Sequence, residues 1–392
     1  MKFRTIAAIA IACFLLGVLI DAGSAAVPQD ALKSAVDEAV APVMTRDEIP
    51  GLAVGITTGG RHAVFNYGVA ALDTRKPITD STLFEIGSLS KTFTATLASW
   101  AEVGGHLSLS DPTAEYLPSL QGTSFGRVSL LNLGTHTPGG LPLQVPDTIT
   151  NNDQLMTYFR EWQPTYAPGT YRTYANPGIG LLGLITAQSM HQDFTSLEQG
   201  RLFPALGLSS TFIVVPVSKR AAYAQGYTQK TKPIRLKPGV LFAEAYGIKT
   251  TATDLLRFLD ANMGLVKLSD DLQRAVVATH TGYFKAGVLT QDLIWEQYPY
   301  PVALKTLLEG NSLQMIFNPT PATAITPPLP PQADVLINKT GSTNGFGAYA
   351  AFVPARRTGV VILANKNYPI EDRVRLAYHI LAVLDAREIR DP

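Results

Sequence analysis

The sequence predicts an α/β architecture of the α+β type: an antiparallel sheet built from the N- and C-terminal segments, flanked by helices, with a mainly helical domain inserted between them. Three observations predict it. Near the start, "LAVGITTGGRHAVFNYGV" sets two β-branched and aromatic runs on either side of Gly59-Gly60, a hairpin signal. Near the end, "DVLINKTG", "FGAYAAFVP" and "TGVVILANK" are strand candidates separated by turn residues. The long middle mixes helical runs such as "ATDLLRFLDANM" with Pro/Gly-rich loops. Strands at both ends with helices between imply one sheet closed by both termini, with residues 26–104 and 311–392 in the sheet domain and 105–310 in the helical one. The active site is expected between the two.

The chain of 392 residues is 46% hydrophobic and carries a formal charge of +1, enough apolar material for a large core and no electrostatic footprint for nucleic acid or an anionic membrane. Its first element is a leader. Lys2 and Arg4 precede an apolar run from Ile6 to Ile20, and small residues from Ala22 to Ala26 follow it, the tripartite pattern of a secretory signal over residues 1–25. The run is shorter than a bilayer span, so no membrane association is expected once it is removed next to Ala25 or Ala26. The single cysteine, Cys13, lies inside the leader, so the mature chain has neither a disulfide nor a thiol nucleophile. A periplasmic location suits such a protein.

After the hairpin, the pattern changes period at Ser88. Phe93, Leu97, Trp100 and Ala101 recur at helical spacing until Gly104-Gly105 ends the element. "TPATAITPPLPPQ" reads as a Pro-rich loop, and "EDRVRLAYHILAVLDAR" as a closing helix with Val374, Leu381 and Leu384 among its apolar positions.

The chemistry starts at "FEIGSLSKTFT", where Lys91 follows Ser88 by three places. Most Ser-x-x-Lys quartets are a capped helix start and a solvated lysine. On a helix, however, positions three apart share a face, so Lys91 can reach Ser88, and a serine becomes a nucleophile only when a neighbour takes its proton. Two further triplets each occur once: Tyr174-Ala175-Asn176, a phenol and a carboxamide, and Lys339-Thr340-Gly341 at the end of an apolar strand. In this order the three form the signature of serine enzymes that recognise penicillins.

Over residues 30–385 the chain resembles the class C β-lactamases, in "FEIGSLSKTFT", "LSDP", "GGLPLQVPD", "WQPTYAPGTYRTYAN", "AEAYGIKTT", "AITPPLPP", "NKTGSTNGFGAYAAFVP" and "GVVILANKNYP" alike. The resemblance implies the β-lactamase/transpeptidase-like fold and a monomer that hydrolyses the lactam amide of cephalosporins and penicillins without a cofactor. Ser88 would attack the lactam carbonyl, with Lys91, Tyr174 and Lys339 carrying the proton traffic. An isolated tyrosine titrates near ~10, so Tyr174 serves as a base only if nearby lysines favour phenolate or if the proton passes through Lys91; the sequence fits either. The backbone N–H groups of Ser88 and Ser342 would hold the oxyanion, and Gly341 and Gly345 would let the strand approach substrate. Gln144 and Asn176 would bind the acylamido group, and Tyr246 would form an aromatic wall. Lys339, Thr340, Asn367 and Arg373 would line the region that receives the substrate carboxylate. Asn338 and Ile370 stand where many relatives have histidine and asparagine.

The six histidines, His62, His106, His136, His191, His280 and His379, show no zinc-hydrolase spacing, so no metal site is expected and they read as ordinary surface or core residues. The competing functions are a D-alanyl-D-alanine carboxypeptidase, an esterase on the same scaffold, and a non-enzymatic β-lactam sensor. An intact Lys-Thr-Gly argues against the esterase, and continuous resemblance to class C argues against the peptidase. Retention of Lys91 and Tyr174 argues against the sensor.

Overall fold

The computed structural model describes residues 29–388, so the leader expected over 1–25 lies outside the described residues. The expected hairpin forms as the strands Gly51–Thr58 and Arg61–Gly68, turned by Gly59 and Gly60, both at positive φ. The first of these pairs antiparallel with Thr358–Ala364, so the two ends of the chain share one sheet. Gly347–Val353 and Val335–Ser342 follow in antiparallel order.

Side chains along these strands alternate between two cores. Ala53, Ile337, Ala350, Val361 and Leu363 pack with Leu255, Leu256 and Leu259 of the helix Ala252–Asn262. Val54, Leu336, Ala351, Val360 and Ile362 pack with Val36 and Val40 of the helix Gln29–Arg46 and Ile380 and Leu381 of the helix Ile370–Glu388. Burial on both faces is why the C-terminal strands read as unbroken apolar runs rather than alternating ones. A third core, around Leu133, Phe159, Ile179 and Leu182, belongs to the helical part.

Two expectations are corrected. The sheet does not stop at the two ends of the chain: Glu296–Pro299, Leu289–Gln291 and Gly282–Ala286 continue it beyond Val335–Ser342, so the segment 282–299 belongs with the sheet and a helical domain running to 310 is too long. These strands are only three to five residues long, too short to show a period in sequence. The Pro-rich segment is not a loop either, because Thr320–Leu329 is a strand against Gly282–Ala286. Pro327 and Pro328 fall inside the irregularity between Ala324 and Leu329, where the missing N–H donors break no ladder bond.

Candidate active site

Ser88 is not on the helix itself. It sits in the 3₁₀ turn Gly87–Leu89 that leads from the strand Phe84–Glu85 into the helix Ser90–Val103. The helix N-terminus has no side-chain cap, so the Ser88 hydroxyl is not spent on capping. Lys91, in the first helical turn, is fully buried and donates to Ser88 Oγ at 2.8 Å and to the Ala245 carbonyl at 2.8 Å. That carbonyl is contributed by the short helix Phe242–Tyr246. Burial pulls the Lys91 ammonium down to about 8 against the raising effect of Tyr174, with Lys339 pulling it further down.

Tyr174 comes from the opposite side, two residues past the strand Tyr171–Arg172 and just ahead of the helix Asn176–Ser189. Its ring lies among three cations: Lys339 Nζ at 4.9 Å, Lys91 Nζ at 5.4 Å and the Arg172 guanidinium at 5.5 Å from the centroid. Burial alone would raise the phenol, but Lys339, Lys91 and contact with the Ser88 hydroxyl outweigh it and bring Tyr174 down to about 8. Ser88, Lys91, Tyr174 and Lys339 therefore meet in one cluster built from a turn, a helix, a loop and a strand.

The Lys339 strand is pressed onto the Ser88 turn. A Cβ on Gly341 would lie 1.9 Å from the Ile86 carbonyl oxygen, and one on Gly87, whose φ is +51°, would lie 2.4 to 2.5 Å from the Ser342 backbone. Gly341 serves contact between strand and turn, and Gly345 faces Ile234 and Gly226. Arg373 is not placed as expected. It is completely buried and donates to the Gly341 carbonyl and Ser342 Oγ, each at 2.8 Å, to Asn367 Oδ1 at 2.9 Å, and to the Tyr368 carbonyl. It braces the strand end and offers no solvent-facing edge to a carboxylate, whereas Asn367 is only partly buried.

Gln144, Asn176 and Tyr246 share a small depression with Val145, Pro177, Val240 and Leu241. Asn176 Oδ1 is buried there without a partner among the described residues, an acceptor available to a ligand. A cleft of about 230 Å³ opens on the other side of Tyr174, between Leu141, Leu143 and Tyr166 and the segment 316–319. Thr340 lies on the Lys339 strand. Ile370 packs partly against the second core. Asn338 donates to the Glu296 carbonyl at 3.0 Å.

Several residues at the site were missed in the sequence. Arg172 and Glu296, both buried, form an ion pair at 2.7 Å, and Glu296 also lies 3.6 Å from Lys339 Nζ. Arg172 further donates to Gln291 Oε1 at 2.7 Å and the Met315 carbonyl at 2.8 Å. The acidic residue set in the apolar "LIWEQY" was the available signal for Glu296. His136 is no ordinary core histidine: its ring lies 4.3 Å from that of Tyr174, its Nδ1 accepts the Ala175 N–H at 3.3 Å, and its Nε2 has no partner among the described residues. Burial, with Arg172, Lys339 and Lys91 nearby, holds it well below the usual imidazole range, so it adds no charge. Among the described residues, no group of three or more His, Cys, Asp or Glu side chains could hold a metal ion.

Comparison with known proteins places this geometry. The β-lactamase family model matches residues 36–385. A β-lactamase of Pseudomonas fluorescens is 51% identical over 354 residues, spanning 90% of this chain and 99% of that protein. Among solved structures, a D-alanine carboxypeptidase from Burkholderia cenocepacia is 56% identical with a TM-score of 0.88, covering 91% of this chain and 100% of that one. A class C β-lactamase in complex with cefoxitin is 51% identical, also with a TM-score of 0.88, and covers 90% and 99%.

Proposed function

This chain belongs to the β-lactamase family, and from that premise we propose that it opens the lactam ring of cephalosporins and penicillins through an ester on Ser88. The observation that carries the reading is the Ser88–Lys91 hydrogen bond of 2.8 Å beside a tyrosine brought down to about 8 by two lysines. Ser88 Oγ attacks the lactam carbonyl carbon while its proton passes to the Tyr174–Lys91 pair. Lys91, anchored to the Ala245 carbonyl, keeps one N–H on Ser88 Oγ and steadies the phenolate. The proton then goes to the lactam nitrogen as the C–N bond breaks. In the second half, the same pair takes a proton from water as it attacks the ester carbonyl, and returns that proton to Ser88 Oγ as the ester C–O bond breaks.

The oxyanion of each tetrahedral intermediate is held by the N–H groups of Ser88 and Ser342, whose segments touch at Gly87; one such donor is typically worth ~3 kcal/mol. Asn176 Oδ1 and Gln144 receive the acylamido group, and Tyr246 walls it in. The carboxylate goes to Lys339, Thr340 and Asn367, with Arg373 bracing the strand behind them. The leader supports export to a periplasm, where the protein acts as a monomer on a small-molecule β-lactam. Among the described residues no helix is long and apolar enough to cross a membrane.

A second reading, D-alanyl-D-alanine carboxypeptidase, is favoured by the 56% identity to a structure of that name, and it uses the same acylation chemistry on a peptide. One experiment separates them. The purified mature protein is given a chromogenic cephalosporin and a D-Ala-D-Ala peptide, and the enzyme is weighed after brief exposure to a slow β-lactam. Fast lactam turnover with an adduct at Ser88, both lost in a folded Ser88→Ala variant, is expected. A long-lived adduct without turnover favours the peptidase, and an adduct at any other residue removes the mechanism.

A further inference from the structure

Glu85 takes no part in the proton transfers above, yet its carboxylate is buried three residues before Ser88, with the residue only 1% exposed. An acidic side chain in that position is tolerated only if its oxygens are engaged. They are. Oε1 accepts from the Tyr223 hydroxyl and from the Leu236 N–H at 2.8 Å, and Oε2 accepts from the Thr343 hydroxyl at 2.6 Å. Lys249, its partner across the short sheet, supplies a cation in electrostatic reach.

Thr343 directly follows Ser342. The Lys339 strand therefore ends between two anchors: Arg373 holds the Gly341 carbonyl and Ser342 Oγ from one side, and Glu85 holds Thr343 from the other. Glu85 itself stands on the segment that turns at Gly87 into Ser88, and Gly87 lies against the Ser342 backbone. One carboxylate thus bridges the two pieces of chain that bear the oxyanion donors.

We propose that Glu85 is a positioning residue for the oxyanion site, fixing the spacing of the Ser88 and Ser342 N–H groups through Thr343 and tying that spacing, through Tyr223 and Leu236, to the loop that precedes Tyr246. This rests on the donor assignment given above. Because the donors act on charge that exists only in the transition state, an error in their spacing is felt in kcat and in the affinity of a tetrahedral analogue, and far less in ground-state binding.

The test compares Thr343→Val, which keeps the shape and removes the hydroxyl, with Thr343→Ser, which keeps the hydroxyl, and with Glu85→Gln. For each, kcat and KM for a chromogenic cephalosporin, Ki for a boronic acid and the urea midpoint are measured. Thr343→Val is expected to lower kcat/KM by at least about tenfold and to raise the boronate Ki by a matching factor. Thr343→Ser should restore both to within about threefold, and Glu85→Gln with Thr343→Val should lose less than the product of the single losses, as linked residues do. If Glu85→Gln does not fold, the two Thr343 variants decide alone. A Thr343→Val protein with a lower urea midpoint but unchanged kcat/KM and Ki overturns the proposal. So does a change confined to KM. Failure of the unsubstituted protein to bind boronate at all removes the donor assignment itself, and this proposal with it.

Discussion

Tyr174 is an acid with a usual value near 10 that burial would push up, and it is instead brought down to about 8 because Lys339 and Lys91 face it at close range. Folding therefore favours the phenolate. Between about 8 and 10 the unfolded chain keeps the proton that the folded chain has given up, so stability rises with pH across that window and the contribution is lost as pH falls through about 8. Tyr174→Phe removes it. In urea unfolding, the advantage of the natural protein over Tyr174→Phe is expected to grow from pH 8 to pH 10; an advantage that shrinks over this range shows that the phenol is not ionised in the fold. The triplets pointed to Ser88, Lys91, Tyr174 and Lys339 because fixed spacing is a local property of sequence. Glu296 and His136 reach Lys339 and Tyr174 from segments of their own, and Arg172, though only two residues before Tyr174, pairs with the distant Glu296, so no short pattern marks these contacts.

The elements that carry these residues are held at distances a single methyl group would disturb. Where the Lys339 strand passes the Ser88 turn, Gly341 sits so close to Ile86 that an added Cβ has backbone, and no flexible side chain, to displace. Overpacking of this kind typically costs about 1–3 kcal/mol, and here the displacement would move Ser342 away from Ser88 as well. Gly341→Ala is thus expected to lower stability by roughly that amount and to cut kcat/KM about a hundredfold, the scale of an ångström's misplacement. A variant with normal kcat/KM in the cephalosporin assay would show that the strand and turn can part without cost to the chemistry. Glycine could be read in the sequence as permission for close approach; what approaches could not. The sequence pointed to substrate, and the structure adds the Ile86 backbone as a close neighbour.

On the scale of the whole molecule, the hairpin and the three C-terminal strands were legible because each is long and bounded by turn residues, and their pairing followed from a sheet needing neighbours for its edges. The strands between 282 and 299 and the proline-bearing Thr320–Leu329 were not, because short or irregular strands gain their identity only from the partners beside them. The resulting site draws Ser88, Lys91, Tyr174 and Lys339 from parts of the chain up to 251 positions apart, 339 minus 88, so a ligand bridging Ser88 and Ser342 binds only the assembled fold. Mass action then stabilises that fold by about 2.7 kcal/mol at a ligand concentration 100 times Kd. A boronic acid, whose tetrahedral adduct would occupy the oxyanion position, is expected to raise the thermal midpoint by several degrees and to inhibit turnover, while a chelator is expected to do neither, as the proposed attack by Ser88 requires. Ser88→Ala should lose the boronate shift and keep the same midpoint without ligand to within about two degrees, because its hydroxyl caps no helix. Inhibition by the chelator that zinc reverses, or a boronate shift that survives Ser88→Ala, would move the reaction away from Ser88.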